Sequence, residues 1–142
     1  MTRLLGLDPG LSTGWALFHY DATTPLTLLD YGEILGGHQG VIAFWKTMPE
    51  PDEVVAETFR LDGRTIYPEV DPLRTEGALS VLHPGWIGQP NTAKIMADDI
   101  LLKRLGWWLK GKPHARDAAR HAIALMKSRR HLPTLSRISP PR

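Results

Sequence analysis

The stretch Leu4-Leu5-Gly6-Leu7-Asp8-Pro9-Gly10, followed by Leu11-Ser12-Thr13-Gly14-Trp15-Ala16-Leu17-Phe18, decides how this chain is read. Four residues without a polar side chain lead into an acid. A Pro-Gly turn follows, and then a second apolar run. Periodicity alone does not separate a short buried strand from a piece of helix. The length of the run and the Pro-Gly stop favour a central strand buried on both faces. An ionised carboxylate at the end of such a strand is costly unless it is paired or holds a metal. Asp8 is therefore the first candidate for chemistry, with a turn or helix-start aspartate as the plain alternative.

Outward from this stretch, 3–8 reads as a first strand and 13–20 as the second strand of a hairpin, with Gly10 and Gly14 bracketing the turn. Leu26 to Ile34 extends them to an antiparallel meander. Val41, Phe44, Trp45 and Met48, at i, i+3, i+4 and i+7, predict a helix over 38–48. Val54-Val55-Ala56 is a second buried-strand run, ended by Glu57 as Asp8 ends the first. If the two strands lie side by side and parallel, both carboxylates emerge at the same end of the sheet, where open α/β sheets gather their ligand sites.

Residues 60–77 read as a long loop or short irregular helix, 78–82 as a possible strand, and 84–90 as a Gly/Pro-rich turn. Asn91 or Thr92 can cap a helix with the apolar face Ala93, Met96, Ala97, Ile100 and Leu101, ended by Gly106. A last helix begins near Pro113 and runs to about Arg130, with Pro133 barring continuation. Its Ala115, Ala118, Ala119, Ala122 and Met126 form a small-residue arc suited to close approach to a sheet. Arg116, Arg120, Lys127 and Arg130 lie roughly opposite. His114, Asp117 and His121 line the seam between the two arcs, where a metal-and-phosphate site is expected.

The charge distribution agrees. Of 142 residues, 1–102 hold 14 of the 15 acids and 6 of the 17 bases, a balance of −8. Residues 103–142 hold 11 bases and one acid, Asp117, a balance of +10. A basic C-terminal third on an acidic body predicts a polyanion-binding face. The length suits one domain with a real core. The lack of cysteine excludes disulfides, thiolate metal sites and a cysteine nucleophile. No apolar run approaches the roughly 18 residues of a membrane span, and a cytoplasmic location is the expectation.

Gly6-Leu7-Asp8-Pro9-Gly10 with Gly14 resembles the opening of RuvC-type Holliday junction resolvases, and Val55-Ala56-Glu57 matches that family's middle acid. His114-Ala115-Arg116-Asp117-Ala118-Ala119-Arg120-His121-Ala122 resembles its closing motif, and the short length is more like a phage-encoded member. The resemblance implies an α/β chain of RNase H-like fold: a central mixed five-stranded sheet, meander plus parallel strands, flanked by helices. It implies a nuclease domain over 1–132; residues 133–142, with Pro133, Pro140 and Pro141, read on their own composition as a flexible basic tail. Asp8, Glu57, Asp117 and His114 would surround a pair of Mg²⁺ or Mn²⁺ ions, His114 standing where many members carry a carboxylate. Lys94 resembles the family's functional lysine. The family's aromatic wedge position falls on Arg60, with Phe59 one residue early.

The implied function is metal-dependent hydrolysis of phosphodiesters in branched DNA, in four-way junctions and possibly flaps and forks, leaving a 5′-phosphate and a 3′-hydroxyl. Two cations clamping the attacking and leaving oxygens suit so poor an electrophile, and hard ions prefer the oxygens of Asp and Glu. Lys94, Lys103, Arg104, Lys110, Lys112, Arg116, Arg120 and Arg60 are the expected DNA contacts, reading phosphates rather than base edges. Paired cuts require a homodimer, for which Phe44, Trp45, Trp107 and Trp108 are the candidate contacts. The competing readings are a nuclease of this fold acting on RNA, a non-catalytic nucleic-acid-binding protein of the same fold, and an actin-like sugar kinase or ATPase. For the kinase, Asp62-Gly63 lacks the strand context of a phosphate-binding hairpin.

Overall fold

Alternation along the first strand sets the architecture. In the computed structural model, which describes residues 1–59 and 70–139, β1 spans Thr2–Asp8. Leu4 turns to one core cluster, and Leu5 and Leu7 turn to another on the opposite face. With a period of two, Gly6 and Asp8 share the face of Leu4. Both faces of the strand are thus covered, as the apolar run requires.

The hairpin partner β2 (Ser12–Tyr20) and then β3 (Thr27–Leu35) complete an antiparallel meander, and β4 (Glu53–Glu57) pairs parallel to β1 on its other side. A short β5 (Ile87–Gln89) pairs parallel to β4, giving a five-stranded mixed sheet in the order β3-β2-β1-β4-β5. The register pairs Leu7 with Ala56, so the strand-ending acids Asp8 and Glu57 emerge together, one residue beyond that pair.

On one face, α1 (Gly37–Trp45) buries Val41 and Trp45 against Leu5, Leu7, Val54 and Ala56. On the other lies α4 (Pro113–Ser128), whose Ala115, Ala118, Ala119, Ala122 and Met126 are all fully buried. The small-residue arc works as expected. A Cβ added at Gly6 would lie 2.5 Å from the Ala118 carbonyl oxygen, so the helix backbone rests directly on β1.

Four segments depart from the sequence expectation. The possible strand at 78–82 is instead the end of α2 (Asp71–Leu82), which carries a proline in its first turn and buries Pro72, Thr75 and Leu79. A stripe that includes a proline and a threonine gives almost no hydrophobic period. Residues 84–90 are not only a turn, since three of them form β5. The single helix expected from 91 to 105 is divided into a 3₁₀ helix, Asn91–Met96, and α3 (Asp99–Leu105). Asp98 causes the break: its side chain accepts from Leu101 N at 2.8 Å and caps the new helix, leaving Ile100 exposed.

The last departure is at the C-terminus, where α5 (Leu132–Ile138) stands in the expected tail. Pro133 ends nothing; it occupies the first turn of a new helix. Thr134 and Ile138 are buried, and Thr134 Oγ1 accepts from Leu26 N at 2.9 Å.

Candidate active site

Three elements deliver carboxylates to one cavity of about 740 Å³, which lies beyond the ends of β1 and β4 and beside α4. Asp8, Glu57, Lys94, His114 and Asp117 line it, with Phe59 and Pro72 among the apolar walls. Asp8 is only 7% exposed, and its Oδ2 lies 3.1 Å from His114 Nδ1. The main-chain N–H of His114 donates to Glu33 Oε1 at 3.1 Å, tying the first turn of α4 to β3.

The charges in this cavity are arranged around a lysine. Lys94 Nζ stands 3.1 Å from Glu57 Oε1 and 3.3 Å from Asp117 Oδ2. Burial pushes Asp8 up to about 6, the negative charge of Glu57 adds to this, and the His114 hydrogen bond partly offsets it. Burial also pushes Glu57 up, but hydrogen bonds from His121 and Lys94 and the lysine charge outweigh it, leaving Glu57 below its ordinary value. Lys94 is raised, because its carboxylate neighbours outweigh its own burial.

The donor set fits a divalent cation chemically. Asp8, Glu57 and Asp117 offer oxygens, which hard ions prefer. Among the described residues no three metal-binding side chains are already gathered in ligating positions. Lys94 supplies positive charge between Glu57 and Asp117 instead.

The other expected site residues divide by what they touch. Lys103 Nζ and the Arg116 guanidinium lie 4.6 Å and 4.0 Å from the centre of the Trp108 ring. Lys110 and Lys112 are exposed in the turn before α4. Among the described residues none of these four pairs with a carboxylate. Arg120 is different: it donates from NH1 to Asp117 Oδ1 at 2.7 Å, from Nε to Ala97 O at 2.9 Å, and from NH2 to Asp99. It braces Asp117 and α3. Arg104 donates to the Ile138 carbonyl and so anchors α5. Arg60 lies outside the described residues.

Two of the candidate dimer contacts are core residues. Trp45 is buried and donates to Glu50 Oε2 at 2.8 Å, while Trp107 packs on Phe18 with ring centres 5.2 Å apart. Phe44 packs on Trp15. Of the four candidate dimer contacts, Trp45 and Trp107 are therefore closed to a partner.

His121 does not sit on the seam with His114 and Asp117. It is fully buried, one turn further into the sheet, with Nε2 3.4 Å from Glu57 Oε1 and Nδ1 2.8 Å from the Gln89 side chain. Gln89 was not among the residues expected here. It belongs to the three-residue β5, too short to carry an alternating pattern.

No family model and no curated protein sequence matches this chain. Solved structures do. The structure of T. thermophilus RuvC in complex with Holliday junction substrate aligns with a TM-score of 0.62 and 18% identity, covering 93% of this chain and 98% of that one. A second Thermus thermophilus RuvC structure aligns at 0.62 and 17%, covering 91% and 96%. The fold is RNase H-like. The alignment extends over almost the full length of both chains.

Proposed function

We propose that this RNase H-like chain is a metal-dependent endonuclease that cuts branched DNA, four-way junctions foremost, working as a homodimer. The observation that carries this reading is the convergence of Asp8, Glu57 and Asp117, from β1, β4 and α4, on one cavity. Its likeness to RuvC structures, one of them bound to a Holliday junction, supports the choice of substrate.

Asp8, Glu57 and Asp117 would hold Mg²⁺ or Mn²⁺, with His114 beside them on Asp8. When bound, such ions withdraw charge from the phosphoryl oxygens and ease displacement at phosphorus. In the hydrolysis, water forms the new bond to phosphorus and the bond to the 3′ oxygen breaks, leaving a 3′-hydroxyl and a 5′-phosphate. The chain's own residues arrange this. Arg120 fixes one Asp117 oxygen, and His114 fixes Asp8 Oδ2. Lys94 lies close enough to Glu57 and Asp117 to exchange a carboxylate for a substrate phosphate. Lys103, Lys110, Lys112 and Arg116, which lack carboxylate partners among the described residues, supply the phosphate-binding surface.

The test is nicking of an immobile four-way junction, a linear duplex and an RNA–DNA hybrid, each with Mg²⁺ or Mn²⁺. Metal-dependent paired cuts in the junction, abolished in Asp8→Asn while junction binding in EDTA persists, are expected. Preferred cutting of the hybrid would move the substrate to RNA. Junction binding without cutting in either metal would leave a binding protein on a nuclease fold.

A further inference from the structure

The fully buried His121 has no part in the reaction as described so far, and its surroundings give it one. Glu57 and Gln89 are register neighbours on the adjacent parallel strands β4 and β5. Their side chains reach the same face of the sheet, where α4 inserts the His121 ring between them. Thr58 donates from its main-chain N–H (2.7 Å) and from its hydroxyl (3.1 Å) to the Gln89 carbonyl, which holds the two strand ends together.

The orientation of the Gln89 amide is fixed by main-chain groups whose roles cannot change. One end of the amide lies 3.1 Å from the His121 carbonyl oxygen, which can only accept, so that end is the NH₂. The other lies 3.3 Å from Leu125 N, which can only donate, so that end is the oxygen. The same NH₂ is 2.8 Å from His121 Nδ1. Nδ1 must therefore accept, and the ring proton must sit on Nε2, facing Glu57 Oε1 at 3.4 Å. This assignment follows from the hydrogen-bond pattern around one amide.

We propose that His121 is the positioning residue for Glu57. Gln89 holds its imidazole as the Nε2–H tautomer, and this single donor fixes Glu57 Oε1 so that Oε2 is presented to the cavity. A neutral ring with one donor binds a carboxylate without competing for a cation, unlike Lys94 on the same oxygen. Outer partners that orient ligating carboxylates and imidazoles typically change metal affinity by about 10–100-fold when removed. The consequence for metal binding rests on the nuclease reading above. The tautomer itself does not.

Two measurements test this. In the metal-free protein, long-range ¹H–¹⁵N correlation of the histidine rings, with His121 assigned by its absence from His121→Gln, is expected to show a neutral ring protonated at Nε2. Mn²⁺ affinity, read by water-proton relaxation, is expected to fall about 10-fold or more in His121→Leu. His121→Gln, whose side-chain NH₂ reaches the place of Nε2–H, should stay within about 3-fold of wild type. Thermal melts of both variants check that the fold persists. A ring protonated at Nδ1, or equal Mn²⁺ affinity in the Leu and Gln variants, overturns the proposal. Wild-type protein that binds no Mn²⁺ overturns the metal-nuclease reading instead, and the tautomer measurement still decides the role of His121.

Discussion

Gly14 on β2 and His114 in the first turn of α4 are in backbone contact: a Cβ placed on Gly14 would lie 2.0 Å from the His114 carbonyl carbon and 2.1 Å from its oxygen. No rotamer change relieves such a clash, because only main chain can move. The absent side chain lets α4 descend onto the sheet until His114 meets Asp8, and it sets how far Asp117 reaches over the cavity.

Gly14→Ala is accordingly expected to lower stability by about 1–3 kcal/mol or more, the usual cost of overpacking a well-filled contact. It should also weaken junction cutting more than junction binding, since the helix carrying His114 and Asp117 is lifted off Asp8. Urea denaturation and nicking assays read the two effects. An unchanged denaturation midpoint would show that the helix does not rest on β2.

The parts of the site that rest on long, strongly patterned segments were legible in the sequence. The all-buried run before Asp8, the run before Glu57 and the alanine arc of α4 each need only one local period, and together they place three carboxylates at one sheet end. Illegible were features that depend on partners far away in the chain. Gln89 lies in a strand of three residues, and α2 hides its buried stripe behind Pro72 and Thr75. His121 looked like a seam residue because a helical wheel shows angle and not depth. Arg120 looked like a phosphate ligand because its acid partners Asp99 and Asp117 are brought to it by tertiary structure.

Lys94 is the internal counter-charge of the acidic cavity, paired with both Glu57 and Asp117. Lys94→Met should lower the stability of the metal-free protein by about 1.5–3 kcal/mol, the scale of hydrogen bonds to charged groups. The same change leaves the acids with more to gain from a divalent ion. Mg²⁺ should therefore raise the melting temperature of the variant by more than it raises that of wild type, through binding linkage. Melts in EDTA and in saturating Mg²⁺ make the comparison. An equal Mg²⁺ shift in the two proteins would show that Lys94 does not occupy the cation's place.

Away from the site, Tyr20, Glu53 and Arg129 form a cluster that sets two limits in pH. Burial pushes Glu53 up, but hydrogen bonds from Arg129, 2.7 Å away, and from Tyr20 outweigh it, so its carboxyl lies below the ordinary value of 4.5. A lowered carboxylate stabilises the fold above its unfolded value, and that stability is lost as pH falls through the lowered one. Tyr20 is pushed up to about 12 by burial and by its hydrogen bond to Glu53. A raised phenol holds its proton more tightly when folded, so stability falls as pH rises from about 10 to about 12. Partial exposure keeps each contribution at about 1 kcal/mol or less. Melting temperature against pH should lose part of its acid slope in Glu53→Gln and part of its alkaline slope in Tyr20→Phe. Slopes identical to wild type would show that the cluster does not hold in solution.

The C-terminal helix gives the sharpest contrast between sequence expectation and structure. Were 133–142 a tail, a chain ending at His131 would keep the stability of the whole. Instead, α5 places Ile138 in the core beside Leu101 and Met126. Burying such a side chain contributes about 1.5–3 kcal/mol. Loss of Thr134 also removes the partner of the buried Leu26 N–H, and leaving such a group unpaired costs about 1–3 kcal/mol. Arg104 loses the Ile138 carbonyl as well. Ending the chain at His131 is therefore expected to cost about 3 kcal/mol or more, a large part of the 5–15 kcal/mol that holds a typical domain. Urea denaturation of the shortened and full chains reads this directly. Thr134→Val separates packing from hydrogen bonding, because it keeps the packing of α5 and removes the hydroxyl that serves Leu26 N and His131 Nδ1. A shortened chain with the full chain's midpoint would return 133–139 to the status of a tail.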